Sequence, residues 1–209
     1  MGLDQVKYNA QIQPNGADLA ATIYRIARTS GDPERIYTTL RNRLAALVPD
    51  IREISIDYNE ARDEVGLRFK DATGARFPAR VLSDGTLRFL ALAVMELDPQ
   101  LQGIICLEEP ENGLHPTGIE AMIHLLQDIA VSPHFPIDNE DNPLRQVIIT
   151  TQSPSVVQQV PDDSLLMALP MNTLRNEGRF QRVDFQYLLL IPGVIKLPKV
   201  DANEQGRPD

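Results

Sequence analysis

The sequence predicts an α/β protein with parallel core strands, preceded by a helix pair and a small antiparallel sheet. Three observations carry this expectation. Apolar residues recur at helical spacing up to Leu47, and strict alternation replaces that pattern between Glu53 and Val81. From Ser83 onward, short apolar runs alternate with helical patterns, the order that builds a parallel sheet. With 209 residues and 43% hydrophobic content, the chain can build a core and falls outside the disordered class.

Asp18 to Ala27 reads as a helix with Leu19, Thr22, Ile23 and Ile26 on one face and Asp18 as its cap. Pro33 opens a second helix carrying Ile36, Leu40, Leu44 and Leu47, and Pro49-Asp50 ends it. Ile54, Ile56 and Tyr58 then point one way, as do Val65, Leu67 and Phe69 in the next run. Asp71-Ala72-Thr73-Gly74 is a turn, and Arg76 to Val81 returns as a third strand. Ser83 caps a helix with Leu87, Leu90, Ala91, Val94 and Met95 on one face. Gly103 to Leu107 is a fully apolar strand, with Cys106 inside it as a core residue. Pro116 starts the next helix, its Ile119, Met122, Ile123 and Leu126 inward. Residues 132–144, with Pro133, Pro136 and Pro143, form a loop; Gln146 to Thr150 is another buried strand and Ser164 to Leu169 a third. The expected organisation is one partial domain over 1–200, helical over 1–50, antiparallel over 51–81, core over 82–170, with terminal elements over 171–200. Residues 201–209 read as a flexible tail.

Composition narrows the function. No apolar run reaches the ~18 residues that cross a bilayer, and Met1 to Ala10 lacks a secretory pattern, so a cytoplasmic protein without a membrane partner is expected. The single cysteine allows no intrachain disulfide, in keeping with a reducing compartment. A formal charge of −9 disfavours direct nucleic-acid binding, because phosphate neutralisation needs clustered Lys and Arg. The arginines between Arg25 and Arg43 are interleaved with carboxylates. His124 and His134 have no partner at zinc spacing.

Three segments in a fixed order carry the chemistry. Ile104-Ile105-Cys106-Leu107-Glu108-Glu109-Pro110 delivers two adjacent carboxylates at the C-terminal edge of a strand, where open α/β sheets bind ligands. One carboxylate can hold magnesium through water while the next accepts a proton from an attacking water. Taken alone, the pair is a solvated acidic turn. Leu82-Ser83-Asp84-Gly85-Thr86 opens a helix, whose first N–H groups favour a phosphate that a glycine allows close. Taken alone, Ser83-Asp84 is a common cap. Ile148-Ile149-Thr150-Thr151-Gln152-Ser153 ends a strand in Gln152, which donates an N–H but cannot shuttle a proton. The alternative role for that glutamine is to satisfy a loop carbonyl.

Together these segments resemble the signature loop, the Walker B strand and the switch loop of an ABC-type ATPase (a P-loop NTPase). Glu111-Asn112-Gly113-Leu114-His115-Pro116 stands where that family has its D-loop. The resemblance covers roughly Asn15 to Met167 and points to the branch of RecF-type and SMC-like proteins and the AAA family ATPase part of the overcoming-lysogenization-defect nucleases. It implies that Glu108 assists Mg2+, that Glu109 is the general base, and that Gln152 stands at the switch position. It implies further that the signature residues Ser83, Asp84, Gly85 and Thr86 close over the γ-phosphate of ATP held by a partner, with Asn112 and Gly113 at the dimer interface. Transporters have Gly where Asp84 stands, commonly Asp where Glu108 stands, and His where Gln152 stands, so a transporter subunit is the weaker match.

No Gly-x-x-x-x-Gly-Lys-Ser/Thr phosphate loop occurs between Met1 and Asp209. The chain therefore reads as the C-terminal half of an ATPase, completed by a missing N-terminal lobe or by a second protomer in a head-to-tail dimer. ATP and Mg2+ are expected in that complete assembly, and DNA or a nuclease are expected to engage other parts of it. The sequence after Leu169 is too short for the nuclease domain that the defence nucleases carry there. Two functions stay open: an ATPase coupled to DNA repair, DNA processing or phage defence, or an interaction lobe without nucleotide affinity that docks to a partner.

Overall fold

The computed structural model describes residues 4–5, 12, 18–132, 134–138, 142–175, 178–187, 190–191 and 194–195. The expected tail over 201–209 lies outside the described residues. The chain divides into two compact units, residues 1–156 and 157–209.

In the first unit, α1 (Leu19–Thr29) is buried almost all round, with Leu19, Ala20, Ala21, Ile23, Ile26 and Ala27 in the core. It is a central helix, and the single apolar face read from sequence underestimates it. Asp18 does not cap it through its side chain: the residue has φ 64°, and its carbonyl accepts from the Thr22 amide and hydroxyl, each at 2.8 Å. α2 (Pro33–Leu44) begins as expected, with Asp32 accepting from the Arg35 amide at 3.1 Å and proline in the first turn. Its Ile36, Leu40 and Leu44 are buried, while Leu47 lies beyond its end and is half-buried.

The antiparallel sheet is centred on β3 (Glu64–Asp71). β2 (Ile51–Asn59) pairs along one side, with Ile54 opposite Phe69 and Tyr58 opposite Val65. β1 (Asp4–Gln5) and β4 (Arg76–Pro78) share the other side. The strand expected to run to Val81 stops at Pro78, and Ala79–Val81 forms a 3₁₀ turn that leads into the next helix. Asp71 organises the β3–β4 turn by accepting from the Thr73 hydroxyl and from the amides of Thr73 and Ala75, which holds its carboxyl below the usual range.

α3 (Asp84–Leu97) is capped by Ser83 and buries Phe89, Leu90, Leu92, Ala93 and Val94. Leu87, Ala91 and Met95, expected on its inner face, are half-buried at its margin. β5 (Gly103–Glu108) and β6 (Arg145–Thr150) pair in parallel, Gly103 opposite Arg145 through Glu108 opposite Thr150. A 3₁₀ turn at Pro116–Gly118, not an α-helical turn, precedes α4 (Ile119–Ile129), which buries Ile119, Met122, Ile123 and Leu126. The expectation of buried core strands is only half met. Ile105, Leu107, Val147 and Ile149 are half-buried, but the alternate row is open: Ile104 is 62% and Ile148 54% exposed, and Cys106 is exposed rather than a core residue. α4 packs against β6, whereas the row holding Ile104, Cys106 and Ile148 lies uncovered among the described residues.

α5 (Pro154–Val157) reaches the unit boundary. In the second unit, β7 (Leu166–Arg175) and β8 (Gly178–Tyr187) form an antiparallel hairpin, with β9 (Leu190–Ile191) and β10 (Val194–Ile195) pairing beyond it. The third buried strand expected from Ser164 therefore starts at Leu166 and pairs with β8. Leu166, Val183 and Phe185 leave it exposed on one face.

Buried charge fastens the start of the parallel pair to the helices. Arg145 sends its guanidinium to the carbonyls of Glu96, Asp98 and Leu101 at 3.0, 2.6 and 2.8 Å, closing the C-terminal end of α3. Burial pushes that guanidinium below its ordinary value. Arg25 of α1 meets the Asp98 carboxylate at 2.6 Å with both side chains nearly enclosed. Asp98→Ala takes the carboxylate from a buried guanidinium and is expected to destabilise the chain by about 3 kcal/mol. The double change Arg25→Met with Asp98→Leu should cost clearly less; urea unfolding of both variants checks it.

Candidate functional site

Three chain segments meet at the C-terminal edge of the parallel pair: the start of α3, the loop after β5 and the loop after β6. The ladder carries one step past β5, because the Glu109 amide donates to the Thr150 carbonyl at 2.8 Å. Glu109 then adopts φ 43°, left-handed and unusual for a residue with a Cβ. Tight turns follow, with Asn112 N–H donating to the Glu109 carbonyl at 3.0 Å and Leu114 N–H to the Glu111 carbonyl at 3.1 Å.

This turn folds the side chains of the loop back onto Glu109. Asn112 Nδ2 donates to Glu109 Oε2 at 2.5 Å, and Gln152 Nε2 donates to Glu109 Oε1 at 3.3 Å. Each carboxylate oxygen is thus held by a different loop. Glu108, the last residue of β5, is exposed and makes no hydrogen bond with its side chain among the described residues. An exposed carboxylate at the strand edge suits a hydrated Mg2+ ion, which keeps most of its waters and takes one or two carboxylates. A group of three or more His, Cys, Asp or Glu able to hold a metal is absent among the described residues.

The start of α3 joins the site through backbone. Gly85 is buried against the loop after β5: a Cβ built on it would overlap the Gly113 carbonyl and come within 3.1 Å of Leu114 Cδ2. Gly113 itself has φ +82°. One turn on, Arg88 Nη1 donates to the carbonyls of Glu109 and Asn112 at 3.3 and 3.4 Å. Ser83 turns inward, its Oγ 2.8 Å from the Thr86 hydroxyl and accepting from the Thr86 amide at 3.2 Å. Asp84 is exposed at the helix start, and Thr86 is buried.

The structure therefore brings together Glu109, Asn112 and Gln152 by hydrogen bonds, and Gly85 with Gly113 by packing. It places Glu108 next to them without a link, and it commits the Ser83 hydroxyl to the cap. Sequence reasoning misses Arg88, Glu111 and Thr151. Arg88 lies inside an apolar run whose pattern points to its neighbours. Thr151 and Glu111 bond to each other across 40 positions, and no local pattern reports such a pair.

A family model described as "AAA domain, putative AbiEii toxin, Type IV TA system" matches residues 19–158. Solved structures similar to the chain include an SMC ATPase from a study of ATP-driven dimerization and DNA-stimulated activation, 12% identical with TM-score 0.44, covering 79% of this chain and 86% of that one. An Smc head domain of Pyrococcus furiosus, with an extended coiled coil and bound to the C-terminal domain of ScpA, is 13% identical with TM-score 0.47 over 80% of this chain. An Smc head bound to the C-winged helix domain of ScpA is 14% identical with TM-score 0.46 over 83% of this chain. The match spans only 38% and 54% of those two chains. No curated protein matches the sequence.

The Gly85 packing gives a direct test. Gly85→Ala forces either the helix start or the Gly113 turn to move, and is expected to cost about 1–3 kcal/mol, the usual range for overpacking. Gly118→Ala is the control, because its Cβ would meet only the flexible Leu47 side chain at 3.4 Å. It should stay within about 1 kcal/mol of the parent in chemical denaturation.

Proposed function

The chain belongs to the AAA domain family whose model it matches over residues 19–158, and from that premise we propose that it supplies one face of an ABC-type ATP-hydrolysing site. The observation that carries the reading is the Glu109 carboxylate, held at the edge of two parallel strands between the Asn112 and Gln152 amides and beside the free Glu108. Such a carboxylate can accept a proton from a water hydrogen-bonded to it. Gln152 orients Glu109 through its N–H, and it cannot itself take the proton at neutral pH. Glu108 is the carboxylate that would hold Mg2+. Mg2+ supplies charge neutralisation of the phosphate oxygens when it is bound.

The residues fit the γ-phosphate side of a nucleotide site and nothing more. No phosphate loop motif occurs in the 209 residues, so the cradle for the other phosphates comes from polypeptide outside them, a companion lobe or a second protomer arranged head to tail. The first amides of α3, at Asp84 and Gly85, then close over the γ-phosphate that the partner holds, with Asn112 and Gly113 at the interface between protomers. Opening and closing of that interface is coupled to a defence or DNA-processing module. The family description, "putative AbiEii toxin, Type IV TA system", supports the defence side.

A second reading, a docking lobe without nucleotide affinity, is favoured by the engagement of the Ser83 hydroxyl in its own helix cap. Two measurements separate them. Calorimetry on the 209-residue chain alone should show no micromolar binding of Mg-ATP, because the phosphate cradle is not in it. In the ATP-hydrolysing assembly that contains the chain, Glu109→Gln should slow turnover by roughly 10²–10⁴ with ATP affinity unchanged. Parental turnover in that variant removes Glu109 as the base, and an assembly that binds no ATP at all selects the docking reading.

A further inference from the structure

The loops after β5 and β6 are tied at a second point, apart from the Glu109 carboxylate. The Thr151 hydroxyl donates to Glu111 Oε1, and the same hydroxyl accepts from the Ser153 amide at 2.9 Å. Both Thr151 and Glu111 are half-buried. The other carboxylate oxygen, Glu111 Oε2, is enclosed and has no hydrogen-bond partner among the described residues. Enclosing a carboxylate oxygen without a donor costs free energy, and an ordinary turn glutamate would swing it into water. The fold instead keeps this side chain on Thr151.

Thr151 immediately precedes Gln152. Between the last ladder bond, Glu109 N–H to the Thr150 carbonyl, and the bond that opens α5, Val156 N–H to the Ser153 carbonyl, the loop has little backbone support. Among the described residues, the side-chain hydrogen bonds at residues 151–153 are the two of Thr151 and the one from Gln152 to Glu109. A hydroxyl bonded to a carboxylate is a stronger anchor than a neutral pair.

We propose that Glu111 is a positioning residue of the site: through Thr151 it fixes residues 151–153 so that the Gln152 amide reaches Glu109. The catalytic consequence rests on the reading of Glu109 as base, and the tether itself does not.

Hydrogen exchange of the Ser153 amide in the purified chain reads the tether directly. Glu111→Ala and Thr151→Val should each speed that exchange by about tenfold, the usual effect of losing one such bond. Glu111→Gln retains a carbonyl acceptor for Thr151 and should stay within about threefold of the parent. The double variant should be no faster than Thr151→Val, because both changes remove the same link. Exchange in α4 should be unaltered, whereas a general loss of stability would raise it too. In the ATP-hydrolysing assembly, Glu111→Ala and Thr151→Val should lower kcat by about tenfold at a KM within about twofold of the parent, with recovery in Glu111→Gln. Should Glu111→Ala fail to fold, Glu111→Leu, which keeps the bulk of the side chain without an acceptor, is read in its place. Unchanged Ser153 exchange in Glu111→Ala overturns the tether, and parental kcat in Glu111→Ala overturns its role in positioning. A Glu109→Gln variant with parental turnover defeats the base assignment alone, since the exchange rates still report on Glu111.

Discussion

Two stretches of backbone meet without side chains where α3 begins, Gly85 lying against the Gly113 carbonyl with no space for a Cβ between them. Everything at the edge of the parallel pair depends on that approach. It sets the start of α3 close enough for Arg88 to reach the Glu109 and Asn112 carbonyls, which in turn stiffens the turn carrying both side chains. A larger residue at either position would lift the turn away from the helix, and the Asn112 amide would leave the Glu109 carboxylate. From sequence, the glycine in the signature segment reads as a space for phosphate. Its first duty is internal, since the space it leaves is already filled by Gly113.

The charged residues divide between two ends of the same strands. Arg145 opens β6 and is buried, closing the end of α3, while Arg25 and Asp98 lock α1 to that corner. Glu108, Glu109 and Gln152 stand at the other end, where Glu108, the last residue of β5, and Gln152 are exposed and Glu109 is half-buried. An arginine that neutralises carbonyls and a buried carboxylate can be enclosed, because each charge has its partners. Glu108 has no such partner among the described residues and stays in water. The strands thus run from a fixed end to an accessible one, the arrangement in which α/β sheets carry ligands at their C-terminal edge.

Much of this is legible in the sequence, and the failures share one cause. Caps at Asp32 and Ser83, the alternation of Val65, Leu67 and Phe69, and the two parallel strands are all readable because each depends on residues a few positions apart. Burial depends on what lies across the chain. Ile104-Ile105-Cys106-Leu107 looks like a strand covered on both faces, yet only the row toward α4 is half-covered and Cys106 is exposed. Asp18 has the residue type of a cap but sits at φ 64°, where its carbonyl takes over from its side chain. The adjacent carboxylates and the glutamine after β6 are visible as candidates, and the structure joins Glu109 to Gln152. The tethers that hold them, from Arg88 and Glu111, require the fold.

The backbone at Glu109 shows why two consecutive carboxylates can differ in role. Neighbouring residues of a regular strand point to opposite faces, so continuing β5 would send Glu108 and Glu109 apart and carry Glu109 past the end of β6. A left-handed residue breaks the alternation. With φ 43° at Glu109 the chain leaves the ladder after one last bond to Thr150 and doubles back, so that Asn112, three positions on, reaches the same carboxylate. For a residue with a Cβ that conformation costs about 1–3 kcal/mol, and it persists only where surrounding bonds over-determine it. Here they do: the Glu109 amide is held by Thr150, its carbonyl by Asn112 and Arg88, and its carboxylate by Asn112 and Gln152. Glycine would adopt the same φ without strain, and it would have no carboxylate to aim. The conformation therefore serves the side chain: Glu108 stays exposed, with no side-chain hydrogen bond among the described residues, and Glu109 is half-buried and fixed against two amides.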